Sequence, residues 1–397
     1  MNLSVYIHIP FCVQRCGYCD FNTYAGLDHL ISPYVKALCR EIEIFGQSLP
    51  ETMRNKVHTI YLGGGTPSLL KPRDLQMILS TLEYTLGFMA EMEISLEANP
   101  GTCSLQKIRG YVGAGVNRLS IGMQSANEHE LRLLGRSHTV GDVVQAVEIA
   151  RAGGIENINL DLINALPNQT LDDWRNSLKV ALSLDVEHLS LYSLTIEENT
   201  MLYQKVSTGE LLTPDDDIAA DCYDVAREML SQAGYLHYEI SNWARRNIAG
   251  GLFECRHNLQ YWKNLPYLGL GAGAHSYLDG YRLINVSHPW QYIQKLSSPN
   301  KMHCAFPFSP ATQDYYIVSP EEQMRDTLLL GLRLVQEGVG EEDFFRRYGK
   351  KMSEVFAEEI HRLLQKGLVE WIEDGQKRIR LTRFGQLLGN QAFIEFV

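Results

Sequence analysis

The chain has 397 residues, 45% of them hydrophobic, and a formal net charge of −11. That length buries a large core and suggests two or three domains. The acidic balance argues against a broad nucleic-acid or anionic-membrane surface and leaves room only for a local basic patch.

No run of about 18 apolar residues offers a membrane-spanning helix. The opening "MNLSVYIHIP" lacks a basic start, a long apolar core and a small-residue cleavage site. It reads as a first strand, not a signal peptide. Cys12, Cys16 and Cys19 cluster, whereas Cys39, Cys103, Cys222, Cys255 and Cys304 are scattered. Such usage is no disulfide framework, and a reducing cytoplasm is expected.

In chain order, short β-branched runs alternate with segments of helical period. The predicted strands are 4–9, 57–62, 92–97, 117–121, 156–163 and 187–194, with predicted helices at 33–45, 73–86, 105–112, 140–152 and 171–184. Ser32-Pro33 reads as an N-cap followed by Pro at the first helical position. Thr170 reads as a cap with acids in the first turn. Six such units imply a parallel sheet with right-handed crossovers. The expected fold class is α/β, an incomplete (β/α)6 barrel, since a closed barrel would need eight units.

Beyond residue 200 the rhythm changes. A helix is expected over 215–232, ended by Gly234. A loop-rich stretch rich in Gly, Asn and aromatics follows from Tyr238 to near Asn300. Helices are then expected at 320–336, 341–348 and 353–366. "GLVEWIEDGQKRIRLT" reads as a hairpin turning at Asp374-Gly375. A last helix starts near Arg383. The expected organisation is a barrel over 1–235, a connecting region over 236–310 and a small α+β, winged-helix-like domain over 311–397. That small domain fits packing or partner docking. The acidic balance disfavours nucleic acid as a partner, with "KRIR" on the wing as the one contrary feature.

Sites in α/β sheets form at the carboxyl ends of strands, and each strand here ends in suggestive chemistry. The first leads to Cys12, Cys16 and Cys19. The second ends in "GGGTPS" (63–68), the third in Glu97, the fourth in "GMQS" with Gln124. The fifth carries Asp161, and the sixth runs into "YSLTIEEN". Three thiolates can hold three irons of a [4Fe–4S] cubane and leave the fourth open to a small chelating ligand. A closed zinc site is the alternative, and would recruit His8 or Asp20 as fourth ligand. "GGGTPS" lacks the GK[ST] ending of a phosphate loop. It is read either as a tight turn or as backbone exposed for a ligand's polar head. Glu97 and Asp161 need partners if buried, either a structural ion pair or the hydroxyl and amino groups of a ligand. Gln124 could do similar work.

C-x3-C-x2-C after one strand and "GGGTPS" after the next resembles the radical S-adenosylmethionine (SAM) superfamily. "YIHIPFC", "YLGGGTPS", "EANPG", "RLSIGMQS", "LGRSHT", "NLDLINALPNQT" and "HNLQYW…YLGLGAGAHS" resemble, more narrowly, the branch holding oxygen-independent coproporphyrinogen III dehydrogenase and HemW. The similarity spans nearly the whole chain. It implies that Cys12, Cys16 and Cys19 hold a [4Fe–4S] cluster, with Tyr6 and Tyr18 beside SAM and the cluster. Gly64, Gly65 and Thr66 would meet the methionine end of SAM, and Glu97, Gln124, Arg136 and Asp161 would complete its pocket. The implied chemistry is one-electron cleavage of SAM to methionine and a 5′-deoxyadenosyl radical, with the protein supplying orientation and water exclusion.

Two departures separate the branches. The dehydrogenase carries a further cysteine two residues after the third, where this chain has Phe21. It also has a long N-terminal extension, whereas eleven residues precede Cys12 here. Both features resemble HemW. They imply a haem chaperone that binds haem as cargo and hands it to apo-haemoproteins, with little or no coproporphyrinogen oxidation. An axial donor and apolar shelter are then needed. His257, flanked by Tyr261 and Trp262, offers both; Cys255 is a second donor, and His275 in "GAGAHS" a weaker one. Alternatively His257 only satisfies a loop. An electron donor is implied, and a homodimer or transient membrane contact stays open.

Overall fold

The computed structural model describes residues 2–297 and 304–397. The end of the loop-rich stretch near Asn300 therefore lies outside the described residues. Two compact units emerge, Met1–Cys222 with Pro266–Ile317, and Tyr223–Leu265 with Val318–Val397. The stretch expected as one connecting region is thus shared between them, changing hands at Pro266.

In the first unit, six parallel strands run Leu3–Ile9, Val57–Gly64, Phe88–Ala98, Arg118–Gln124, Asn157–Asn164 and His188–Ser193. Each pairs with its successor, so spatial order equals chain order. A doubly wound sheet reverses direction part-way. Sequential order is instead the arc of a barrel, and six units leave it open. Both faces of such a sheet are covered, which is why Arg118–Gln124 is buried at every position.

Helices Ile31–Ser48, Pro72–Leu86, Leu105–Gly113, Val140–Gly153 and Leu171–Ser183 fall where helical period places them. Thr170 makes the expected capping box with Asp173. Ser32 is not a cap. A 3-10 turn at Asp28–Leu30 leads straight into the helix, whose N-cap is Leu30 without a side-chain bond. Pro33 then sits inside the first turn, where a missing N–H costs nothing.

The loop-rich expectation needs correction. Tyr267–Leu270 pairs in parallel with the first strand, on the edge away from the second. His275–Leu278, Tyr281–Asn285 and Thr312–Ile317 follow as antiparallel neighbours. Asp279 and Gly280 both have positive φ, 51° and 78°, the conformation of a two-residue hairpin turn.

The second unit carries a three-stranded antiparallel sheet, Val339–Gly340, Lys377–Leu381 and Val369–Glu373. Its core joins Leu328, Phe344, Phe356, Leu363 and Ile379. Gly375, at φ 73°, turns the wing. The expected helix at 353–366 is broken at Phe356 into Met352–Val355 and Ala357–Gln365, and the one at 320–336 ends at Gly331. The wing arginines are paired: Arg380 lies 2.9 Å from Glu370 and Arg378 lies 3.8 Å from Glu337.

Candidate functional site

A cavity of about 400 Å³ opens at the carboxyl ends of the six strands, within the first unit. Cys12, Cys16, Cys19, Tyr18, Gly64, Gly65, Thr66, Glu97, Gln124, Arg136 and Asp161 all line it. Tyr6 and His257 are not among the lining residues. Tyr6 packs under Gly63 and its hydroxyl lies 3.0 Å from His8 Nδ1. His257, in the second unit, is 1% exposed, with Nε2 2.9 Å from the Tyr261 hydroxyl.

The cysteine loop is held by backbone on both flanks. Gly17 N–H donates to Leu134 O at 3.1 Å, and Leu202 N–H donates to Gly17 O at 2.9 Å. Thr66 Oγ1 donates to Cys12 Sγ at 3.6 Å and accepts from Asn99 Nδ2 at 3.1 Å. Burial pushes the Cys12 and Cys16 thiols up, opposed at both by the Arg136 charge. Bound metal reverses that preference by taking the thiolate.

Zinc fits poorly. His8 spends both ring nitrogens, on the Tyr6 hydroxyl and on Asn22 O at 2.8 Å. Among the described residues, only His129, Glu130 and Asp173 bring three such ligand atoms within 4.8 Å of one another. The three cysteine sulfurs therefore do not all lie within that distance of one another. Sulfurs on one tetrahedral zinc lie about 3.8 Å apart, given a Zn–S bond of about 2.3 Å. A cubane places each thiolate on a separate iron and suits the wider spacing. In the His129 group, Glu130 already accepts from Asn127 at 3.0 Å and Gln169 at 2.9 Å.

The Gly run is a cradle. A Cβ on Gly65 would meet Phe11 O at 2.6 Å, and one on Gly64, at φ 111°, would meet His8 Cε1 at 2.4 Å. Bare backbone therefore passes between the cysteine loop and Glu97. Glu97 accepts from the Tyr61 hydroxyl at 2.9 Å and from Gly64 N–H at 3.0 Å. Burial, reinforced by Asp161, raises its pKa to about 7. Asp161 accepts from Ser120 at 3.0 Å and Asn159 at 2.8 Å, and burial pushes it upward too. Two buried carboxylates, both pushed upward, in one cavity suit a cationic ligand.

Arg136 closes the opposite wall. It donates to Asn99 Oδ1 at 2.7 Å and to the Tyr18 hydroxyl at 2.8 Å. Its Nε is buried without a partner, so a donor awaits an acceptor there. Gln124 ends its strand at φ 63°, unusual for a residue with a side chain. Strain of this kind collects at ligand sites. The spread thiols, the side-chain-free cradle and the unpaired guanidinium nitrogen fit a cluster with an amino-acid-bearing ligand. Cys12, Cys16 and Cys19 would hold the cluster. The cradle, Glu97, Asp161, Gln124 and Arg136 would hold the ligand.

Comparison with known proteins agrees. The description "Radical SAM superfamily" matches residues 6–181, and "HemN C-terminal domain" matches residues 318–388. A relative named heme chaperone HemW from Bacillus subtilis is 37% identical over 99% of both chains. The chain belongs to the HemW family. HemW of Lactococcus lactis is 34% identical over 99% of this chain and 97% of its own, and HemW of Escherichia coli 39% over 74% and 76%. Among solved structures, the coproporphyrinogen III oxidase HemN of Escherichia coli superposes with a TM-score of 0.81. It covers 100% of this chain and 90% of its own at 24% identity, a likeness of fold. The cavity is also lined by Tyr61, Asn99, Ser120 and Gly122. Sequence reasoning missed them because nothing in their type is unusual. Strand order was the available signal: the strand of Tyr61 lies between those of Tyr6 and Glu97, and it is Tyr61 that reaches Glu97.

Proposed function

We infer that the chain is a haem chaperone that binds haem and passes it to apo-haemoproteins, carrying a [4Fe–4S] cluster that binds SAM. The observation that carries this reading is 37% identity over 99% of both chains with a protein named as a heme chaperone. Phe21 supports it: a 67% exposed phenyl ring at the cavity edge supplies no further cluster ligand. The bound cluster supplies an electron and an open coordination position. The chain's own residues orient the ligand: Glu97 and Asp161 face its positive groups, Arg136 its carboxylate, and the Gly64–Gly65 backbone its polar head. His257 is the proposed axial donor for haem. Ligation there exchanges its hydrogen bond to Tyr261 for a bond from a neutral ring nitrogen to iron. An electron donor, a cytoplasmic location, a homodimer and transient membrane contact are carried with this reading.

The test is anaerobic reconstitution with iron and sulfide, followed by haem titration and transfer to an apo-haemoprotein, alongside a coproporphyrinogen III assay with SAM and reductant. A haem Soret band, transfer, and no protoporphyrinogen are expected. Sustained decarboxylation without haem binding would replace the chaperone with a coproporphyrinogen III dehydrogenase.

A further inference from the structure

We propose that Asn22 is a positioning residue that latches the cysteine loop onto the 271–287 segment, making the "GAGAHS" loop part of the cluster holder. The proposal rests on the cluster reading of Cys12, Cys16 and Cys19. Asn22 follows Cys19 by three residues. Its Nδ2 donates to Ala272 O at 3.1 Å and to Ser287 O at 2.9 Å, while its own carbonyl accepts from His8 at 2.8 Å. One side chain thus spans two carbonyls that are 15 residues apart in sequence, both more than 240 residues from itself.

The socket is built for this approach. A Cβ on Gly273 would lie 2.3 Å from Asn22 Nδ2, so only glycine admits the amide. Gly271 lies close enough that a Cβ would meet Tyr34 Oη at 2.5 Å and His8 O at 2.7 Å. Tyr34 ties the same segment to the first strand, donating to His8 O at 2.8 Å and accepting from Ala272 N–H at 2.8 Å. The segment is in turn fixed from below by Glu41. That buried carboxylate accepts from Gly271 N–H at 2.9 Å, Asn285 at 2.9 Å, Tyr292 at 2.6 Å and Ser309 at 2.7 Å. A rigid platform therefore carries one flank of the cysteine loop, and Asn22 is the contact through which it acts. Supporting residues of this kind set how firmly ligands hold their metal.

The test compares wild type, Asn22→Asp, Asn22→Ala, Gly273→Ala and the Asn22→Ala/Gly273→Ala double variant after anaerobic reconstitution. Three quantities are read: the rate at which an iron chelator strips the cluster, alkylation of the metal-free cysteines, and the thermal midpoint. Asn22→Asp keeps the shape but sets a carboxylate against two carbonyls. It should lose iron about tenfold faster, as expected for losing two hydrogen bonds, and its free cysteines should alkylate faster at an unchanged midpoint. Gly273→Ala is read by its coupling: φ 76° strains an alanine in every background, so only the part of its faster stripping that disappears in Asn22→Ala reports the clash with the amide. Stripping and alkylation at wild-type rates in both Asn22 variants would overturn the latch. So would faster stripping that merely follows a fallen midpoint. Failure of wild type itself to hold a cluster would instead sink the cluster reading, so the two failures are distinguishable.

Discussion

If Glu97 faces SAM as proposed, SAM binding should depend on pH in a calculable way. The Glu97 carboxyl, raised to about 7 by burial and by Asp161, is half-neutral at neutral pH in the free protein. A sulfonium or ammonium group beside it favours the carboxylate, so binding expels the proton. The sign follows. Below the free pKa, each bound ligand must displace a proton and affinity falls; above it, the carboxylate is already formed and affinity levels off. With a free value of about 7 and the carboxylate fully ionised in the complex, affinity should rise about tenfold between about pH 6 and about pH 8. Other charged and titratable groups around Glu97 include Asp161, Tyr61, Arg118 and Arg136, and Asp161, pushed up as well, would steepen the slope. The assay is isothermal titration of SAM into cluster-loaded protein in two buffers of different ionisation enthalpy. About one proton should be released per ligand near pH 6. Glu97→Gln holds the side chain neutral, so its affinity should sit at the low-pH wild-type level, without that proton release. Because the ligand's own amine titrates identically in both proteins, equal pH slopes for wild type and Glu97→Gln would refute the reasoning.

Gly64→Ala forces a side chain onto φ 111° and against His8 at 2.4 Å; a loss of about 1–3 kcal/mol and of SAM binding should appear in thermal melts and titration. Glu41→Ala leaves four donors facing a cavity, and about 3 kcal/mol or more of stability should go, read by denaturant unfolding, while Glu41→Gln should cost less. His257→Ala should lose the axial-ligand signature of the haem spectrum, whereas Tyr261→Phe, which removes the hydroxyl 2.9 Å from Nε2, should keep it; an unchanged His257→Ala spectrum would clear His257 of ligation.

The six-strand arc was legible because its strands are apolar runs broken by well-spaced helices, and chain order alone then places every strand end on one rim. Cysteines, glycines and carboxylates stood out there by type. What stayed hidden depended on neighbouring strands or on turns. Tyr61 rather than Tyr6 reaches Glu97, since the strand of Tyr61 lies beside that of Glu97 and the strand of Tyr6 lies one further away. The 267–285 strands are four or five residues long and interrupted by glycines, so composition reads as loop. Yet Asp279-Gly280 is the same dipeptide that marked the wing at Asp374-Gly375. The Gly271–Gly273 run between those strands shows why a glycine-rich stretch is ambiguous on its own. Gly273 serves a contact made by Asn22, whose side chain needs the space that a Cβ would fill, and Gly271 serves the approach of Tyr34 and His8. Sequence displays the missing side chains at 271 and 273 but not the groups that occupy their place. Only the fold, by carrying residue 273 back beside residue 22, turns a flexible-looking loop into the rigid half of a latch.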